Sequence, residues 1–90
     1  MSTMLITYDL NSPGQDYKEL GEAIKSLGGW CHNLDSTWLA TTSKTTAEVR
    51  DFLAKYLDPS DELLVINVSG DGWATRGFSQ EANDWLRKYM

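Results

Sequence analysis

Ninety residues make one small domain, able to bury somewhat more than about 60% of the surface its unfolded chain exposes. A composition of 41% hydrophobic and 23% charged residues is that of a folded globular chain and excludes disorder. The formal charge of -5, from 13 acids against 8 bases, disfavours extended nucleic-acid binding, and the single cysteine, Cys31, excludes an internal disulfide.

Four Trp and four Tyr are many for this length. Large aromatics let a small core bury much area per residue, and any surplus on the surface points to an interface. No basic-flanked apolar leader opens the chain, and no apolar run approaches about 18 residues. The sequence therefore predicts a soluble cytoplasmic protein with no membrane segment.

Met4–Leu10 reads as the first strand. Met4, Ile6, Tyr8 and Leu10 face one way, while Leu5, Thr7 and Asp9 face the other. Both faces begin apolar, which suits a central strand. Asn11-Ser12-Pro13-Gly14 is a dense turn signal. A helix follows from Asp16, with Asp16 as cap and Glu19 in the capping-box position. Tyr17, Leu20, Ala23, Ile24 and Leu27 give its core-facing stripe, and Gly28-Gly29 supplies a left-handed stop. Gly21 within it costs about 0.5–1 kcal/mol against Ala and marks a close approach of backbone to the sheet.

Trp30–Leu34 and Thr37–Thr42 form a β-hairpin about Asp35-Ser36. Thr45 caps a second helix, again with Glu three residues on, at Glu48; its apolar face is Val49, Phe52, Leu53 and Tyr56, and Asp58-Pro59 ends it. Glu62–Ser69 is the most apolar strand and breaks at Gly70-Asp71-Gly72. Trp73–Phe78 is either a fifth short strand or an extended crossing, and Ser79 caps a last helix striped by Ala82, Trp85, Leu86 and Tyr89.

The order is β-α-β-β-α-β, the ferredoxin-like α+β pattern over residues 1–90, with a C-terminal strand or helix extension. It places two helices on one face of a four-stranded antiparallel sheet, with the first and third strands central. The other face then carries Leu5, Thr7 and Asp9, together with either Leu63, Val65 and Asn67 or Leu64, Ile66 and Val68. Either choice leaves apolar area that needs a cover, from the C-terminal segment or from a second copy of the chain. A homodimer through this face, or through strands exchanged at its edges, is the expectation.

Asp9 has two readings. A carboxylate at a strand end can bind a divalent metal, with its symmetry mate supplying a second across a two-fold axis. It can equally accept from the amides of Asn11 and Ser12 as an Asx-turn. Cys31 and His32 are strand neighbours on opposite faces, and no Cys-x-x-Cys or second His accompanies them, so a structural zinc site is not expected. His32 as a general base lacks an identifiable partner. Ser69-Gly70-Asp71-Gly72 lacks the Gly-Lys-Ser/Thr ending of a phosphate loop and reads as a turn. Trp73 and Arg76 can form a stacking platform for a base, or Trp73 can plug the open sheet face.

Ile6-Thr7-Tyr8-Asp9-Leu10-Asn11-Ser12-Pro13-Gly14-Gln15-Asp16-Tyr17, Leu34-Asp35-Ser36-Thr37-Trp38-Leu39, Leu63-Leu64-Val65-Ile66-Asn67-Val68 and the Trp73-x-x-x-Gly77-Phe78-Ser79 segment resemble the small bacterial proteins labelled SinR-like, over nearly the whole chain. A more distant similarity links Tyr8-Asp9 to the second of the CRISPR-associated adaptation proteins and to VapD-type toxins. That resemblance implies a ferredoxin-like homodimer, with the aspartate serving magnesium-dependent phosphodiester cleavage at the dimer interface. Asp9 alone carries over. Two functions are thus expected. One is a dimeric, non-catalytic module binding a protein or a nucleotide through Trp73, Arg76, Asn11 and Ser12. The alternative is an RNA or DNA endonuclease using Asp9 and Mg2+.

Overall fold

The structure, a computed structural model, describes residues 1–11 and 17–90. Four strands and three helices follow one another as β1 (Ser2–Asp9), α1 (Lys18–Lys25), β2 (Trp30–Leu34), β3 (Thr37–Thr42), α2 (Thr46–Ala54), β4 (Glu62–Asn67) and α3 (Gln80–Tyr89). The strands form one antiparallel sheet in the order β2-β3-β1-β4, so β1 and β3 are central. The chain is an α+β domain.

Alternation along β1 decides what each face carries. Met4 and Ile6 are buried against Trp38 and Ala40 of β3, Leu20, Ala23 and Ile24 of α1, and Val49 and Leu53 of α2. Leu63 and Val65 of β4 pack at the margin of this cluster. Each fully buried aliphatic side chain contributes about 1.5–3 kcal/mol, so this one layer accounts for most of the hydrophobic stabilisation. β4 therefore turns Leu63 and Val65 toward the helices and Leu64 and Ile66 to the other face. The sequence left that choice open, because Leu63–Ile66 is apolar at every position.

Trp38 is 4% exposed and its polar edge is matched: its Nε1–H donates to the Tyr8 hydroxyl at 2.9 Å. His32 stacks on the same indole, with ring centres 3.6 Å apart and planes 11° from parallel. Thus β1, β2 and β3 are pinned together by one aromatic group.

α2 begins as expected, with Thr45 and Glu48 closing a reciprocal capping box. It ends at Ala54, ahead of Asp58-Pro59, through tightened turns at Tyr56 and Leu57. α1 differs from expectation. Its cap position is Tyr17, which makes no side-chain cap bond, and Glu19 is therefore the second helical residue. Asp16, the expected cap, and the Ser12-Pro13-Gly14 turn lie outside the described residues.

Gly28 and Gly29 do not adopt the left-handed conformation; among described glycines only Gly70 (φ 75°) and Gly77 (φ 79°) have positive φ. Gly28 is required for another reason. A Cβ there would collide with the Thr41 carbonyl oxygen, and the Thr41 amide and hydroxyl bond to Gly29 across the same approach. Gly21 does lie against Trp38, but a Cβ would sit 3.8 Å from the indole, an ordinary contact.

Trp73–Phe78 forms no strand and runs irregularly into α3, and β4 ends at Asn67 instead of Ser69. Ser79 caps α3 by accepting from the Ala82 amide. α3 crosses the second sheet face, tied at its start to β2 through Asn33 Oδ1, which accepts from Ser79. At its end the Thr3 hydroxyl donates to the Tyr89 carbonyl at 2.7 Å, satisfying an otherwise orphaned helix-terminal group. Ala82 and Leu86 are its buried contacts. None of the helices among the described residues is long and apolar enough to cross a membrane.

Candidate functional site

Two regions carry the residues that the sequence singles out. The first is the end of β1. Asp9 is exposed on the second sheet face, and the β1–β4 register sets it directly opposite Glu62. Like charges at opposed positions repel, so this pair costs stability in the folded chain. Asp9 and Glu62 share a shallow surface with Thr7 and Leu64. Glu62 was not a candidate in the sequence. It lies far from Asp9 along the chain, and only the strand register brings the two together.

The Asx-turn reading of Asp9 is corrected in part. The Asn11 amide donates to Asp61 Oδ1 at 2.7 Å and not to Asp9. The Asn11 side-chain amide donates to the carbonyls of Ser60, at 2.9 Å, and Asp9, at 3.4 Å. Ser12, the other proposed donor and a proposed partner-binding residue, lies outside the described residues.

Asp61 is the organising carboxylate here. It accepts from Asn11, from the Asp58 amide at 2.8 Å and from the Tyr17 hydroxyl at 2.9 and 2.7 Å. Desolvation pushes its carboxyl up, but these three donors act the other way and together hold it below the usual aspartate range. Asn11 is therefore a structural residue of the 58–61 turn, with its side-chain carbonyl left as a potential contact.

The second region lies where the C-terminal segment meets the sheet. Trp73 is 41% exposed and lines a largely apolar cavity of about 160 Å³ with Leu5, Cys31, Leu39, Phe78 and Leu86. Its indole thus closes part of the open face while keeping an accessible edge. Arg76 is exposed and does not line this cavity.

A neighbouring cleft of about 290 Å³ between β2 and α3 is lined by Trp30, Cys31, Asn33, Glu81 and Trp85 among others. Sequence reasoning treated Trp85 as packing and did not foresee this cleft, since it needs α3 laid against the edge of β2. Burial, and secondarily the Glu81 carboxylate, push the Cys31 thiol up, so it stays protonated and poorly nucleophilic at neutral pH. Both Cys31 and His32 border this cleft, but the His32 ring is stacked on Trp38 and its Nε2 lies 3.0 Å from the Asp35 carbonyl.

Among the described residues no group of three or more His, Cys, Asp or Glu side chains is gathered to hold a metal ion. Asp9 and Glu62 are two carboxylates, the number with which a magnesium ion is held beside water and substrate phosphate, and fewer than the roughly six to eight oxygens of a calcium site call for. No family model matches the chain, and no solved structure gives a significant match to it.

Proposed function

We propose that the chain is a homodimeric interaction module of the ferredoxin-like kind, related to the SinR-like proteins, and without catalysis of its own. The observation that carries this reading is the uneven cover of the second sheet face. α3 and Trp73–Phe78 lie over the β2–β3 half, while on the β4 side Leu64 is 53% exposed and Ile66 43% exposed. Adjacent exposed aliphatics on a sheet are the surface that a partner covers. The strand order with β1 and β3 central, and α1 and α2 together on one face, supports the ferredoxin-like assignment. A protein or nucleotide partner would then be met at Trp73 and Arg76, beside the remaining accessible indole surface.

Sedimentation over a wide protein concentration range tests the dimer, and quenching of Trp fluorescence by added nucleotides tests the ligand. A chain that stays monomeric throughout and shows no quenching would remove the reading.

One observation favours the second reading, a metal-dependent nuclease: the Asp9–Glu62 juxtaposition on the face offered to a partner. A two-fold dimer would bring two such pairs into one molecule, and magnesium there would activate water toward a phosphodiester. RNA and DNA cleavage with added Mg2+, compared with Asp9→Ala and Glu62→Gln, decides it. Activity unchanged by both substitutions would place cleavage elsewhere and sink this reading.

A further inference from the structure

We propose that two copies of the chain join antiparallel along their β4 edges, about a two-fold axis at Val65, to form one sheet running through both protomers. This deepens the dimer reading above and rests on it.

The sheet has two edges, and only one is guarded. At β2 the register with β3 shifts between Cys31 and Leu34, and the start of α3 is tied down against the strand through Asn33. Bulges and covering helices are the devices by which proteins blunt an edge. β4 has neither. Its register with β1 is unbroken from Met4↔Asn67 to Asp9↔Glu62, and the strand holds no Lys, Pro or Gly. On the α2 side, Thr46, Ala47 and Arg50 border an open groove of about 250 Å³ along Leu63–Val65, so no described side chain fills the approach.

The backbone groups at this edge follow from one bond. The Val68 amide donates to the Thr3 carbonyl at 2.9 Å, which sets the even-numbered residues of β4 as the ones bonded to β1. By the antiparallel alternation, Leu63, Val65 and Asn67 direct their N–H and C=O groups outward. A strand related by a two-fold axis can meet those groups when Val65 faces its own mate and Leu63 faces the partner's Asn67.

That register also sorts the side chains. Opposed residues of an antiparallel pair point to the same face, so Leu64 meets the partner's Ile66, and Ile66 meets the partner's Leu64. The exposed aliphatics of the two copies then form one cluster on the second face. Glu62, the one charged residue of β4, falls opposite the partner's Val68 beyond the strand end, and no carboxylates are opposed. Sliding the pair until Leu64 opposes itself would instead set Glu62 against Ile66. Sliding it the other way shortens the ladder.

Sedimentation and amide hydrogen exchange of the full chain, across protein concentration, test the proposal. Protection of the Leu63, Val65 and Asn67 amides should grow with concentration in step with dimer formation. Val65→Pro removes an outward N–H, a position where an edge strand tolerates proline, and should abolish the dimer while β1–β3 amides stay protected. Ile66→Lys leaves the backbone intact and should weaken association by about tenfold or more, because two aliphatic contacts are lost per dimer. If Val65→Pro fails to fold, Ile66→Lys and the exchange pattern decide the matter. A dimer that keeps its affinity in Ile66→Lys, with freely exchanging edge amides, would overturn the β4 edge and leave dimerisation itself standing. A chain monomeric at every concentration would overturn both.

Discussion

Gly28 and Gly21 separate two reasons for a glycine that look alike along the chain. At Gly28 a methyl group would meet backbone, the Thr41 carbonyl, which belongs to a central strand and cannot swing away. Gly28→Ala should therefore lower stability by about 2 kcal/mol or more, within the range of severe packing defects, as read by chemical denaturation. At Gly21 the added Cβ meets only the Trp38 ring at 3.8 Å, within a regular helix. Gly21→Ala should raise stability by about 0.5–1 kcal/mol through helix propensity and a less disordered unfolded chain. Asp61 makes a pH-dependent case at the same scale. Its folded-state value lies below the unfolded one of 3.8, so the unfolded chain binds the proton more readily. Its stabilisation is present above that value and is lost as pH falls through the lower folded value. Asp61→Asn should flatten the acid limb of a stability–pH profile below about pH 4 and lower the plateau above it.

Elements differ in how far their own residues determine them. α2 was legible because its signal is local: Thr45 and Glu48 lie three residues apart and satisfy each other's backbone partners. Thr45→Ala should cost about 0.5–2 kcal/mol and fray the first turn, seen as faster amide exchange at Val49 and its neighbours. The hairpin and the stripe of α3 were legible on the same grounds. At the start of α1 the cap position falls to Tyr17, whose hydroxyl serves a distant purpose, donating to Asp61 in the turn before β4. Period-two alternation sorted β1 correctly, but it could not sort β4, where both parities are apolar; only pairing with β1 sends Leu64 and Ile66 outward. The partnership of Asp9 with Glu62 was hidden for the same reason, and so was the cleft between β2 and α3. Long-range register and helix docking leave no mark in a window of neighbouring residues. The path of Trp73–Phe78 likewise depends on what it covers and not on its own period.

For the whole molecule, charge and apolar surface pull in opposite directions, and salt can tell which one governs association. Each copy carries a formal charge of -5, so bringing two together opposes like charges over the full surface. The contact that favours it is apolar, centred on Leu64 and Ile66, with Glu62 kept from its own mate. Raising ionic strength from low values to about 0.15 M shortens the Debye length to about 8 Å and screens the repulsion, while leaving aliphatic contact untouched. Association should therefore tighten as salt is added, and the melting temperature should rise with protein concentration by mass action. Ile66→Lys should move that concentration dependence to about tenfold or more higher protein concentration but leave the stability of the dilute chain, because that side chain is already 43% exposed in a single copy. A complex with phosphate-bearing ligands responds the opposite way, weakening steeply as salt releases its counterion advantage. Sedimentation at two salt concentrations, with the wild-type chain and Ile66→Lys side by side, thus reads whether the exposed half of this sheet exists to meet a second copy of itself. Dissociation on adding salt would mean that charged groups hold the copies together, and Leu64 and Ile66 would then have no part in it.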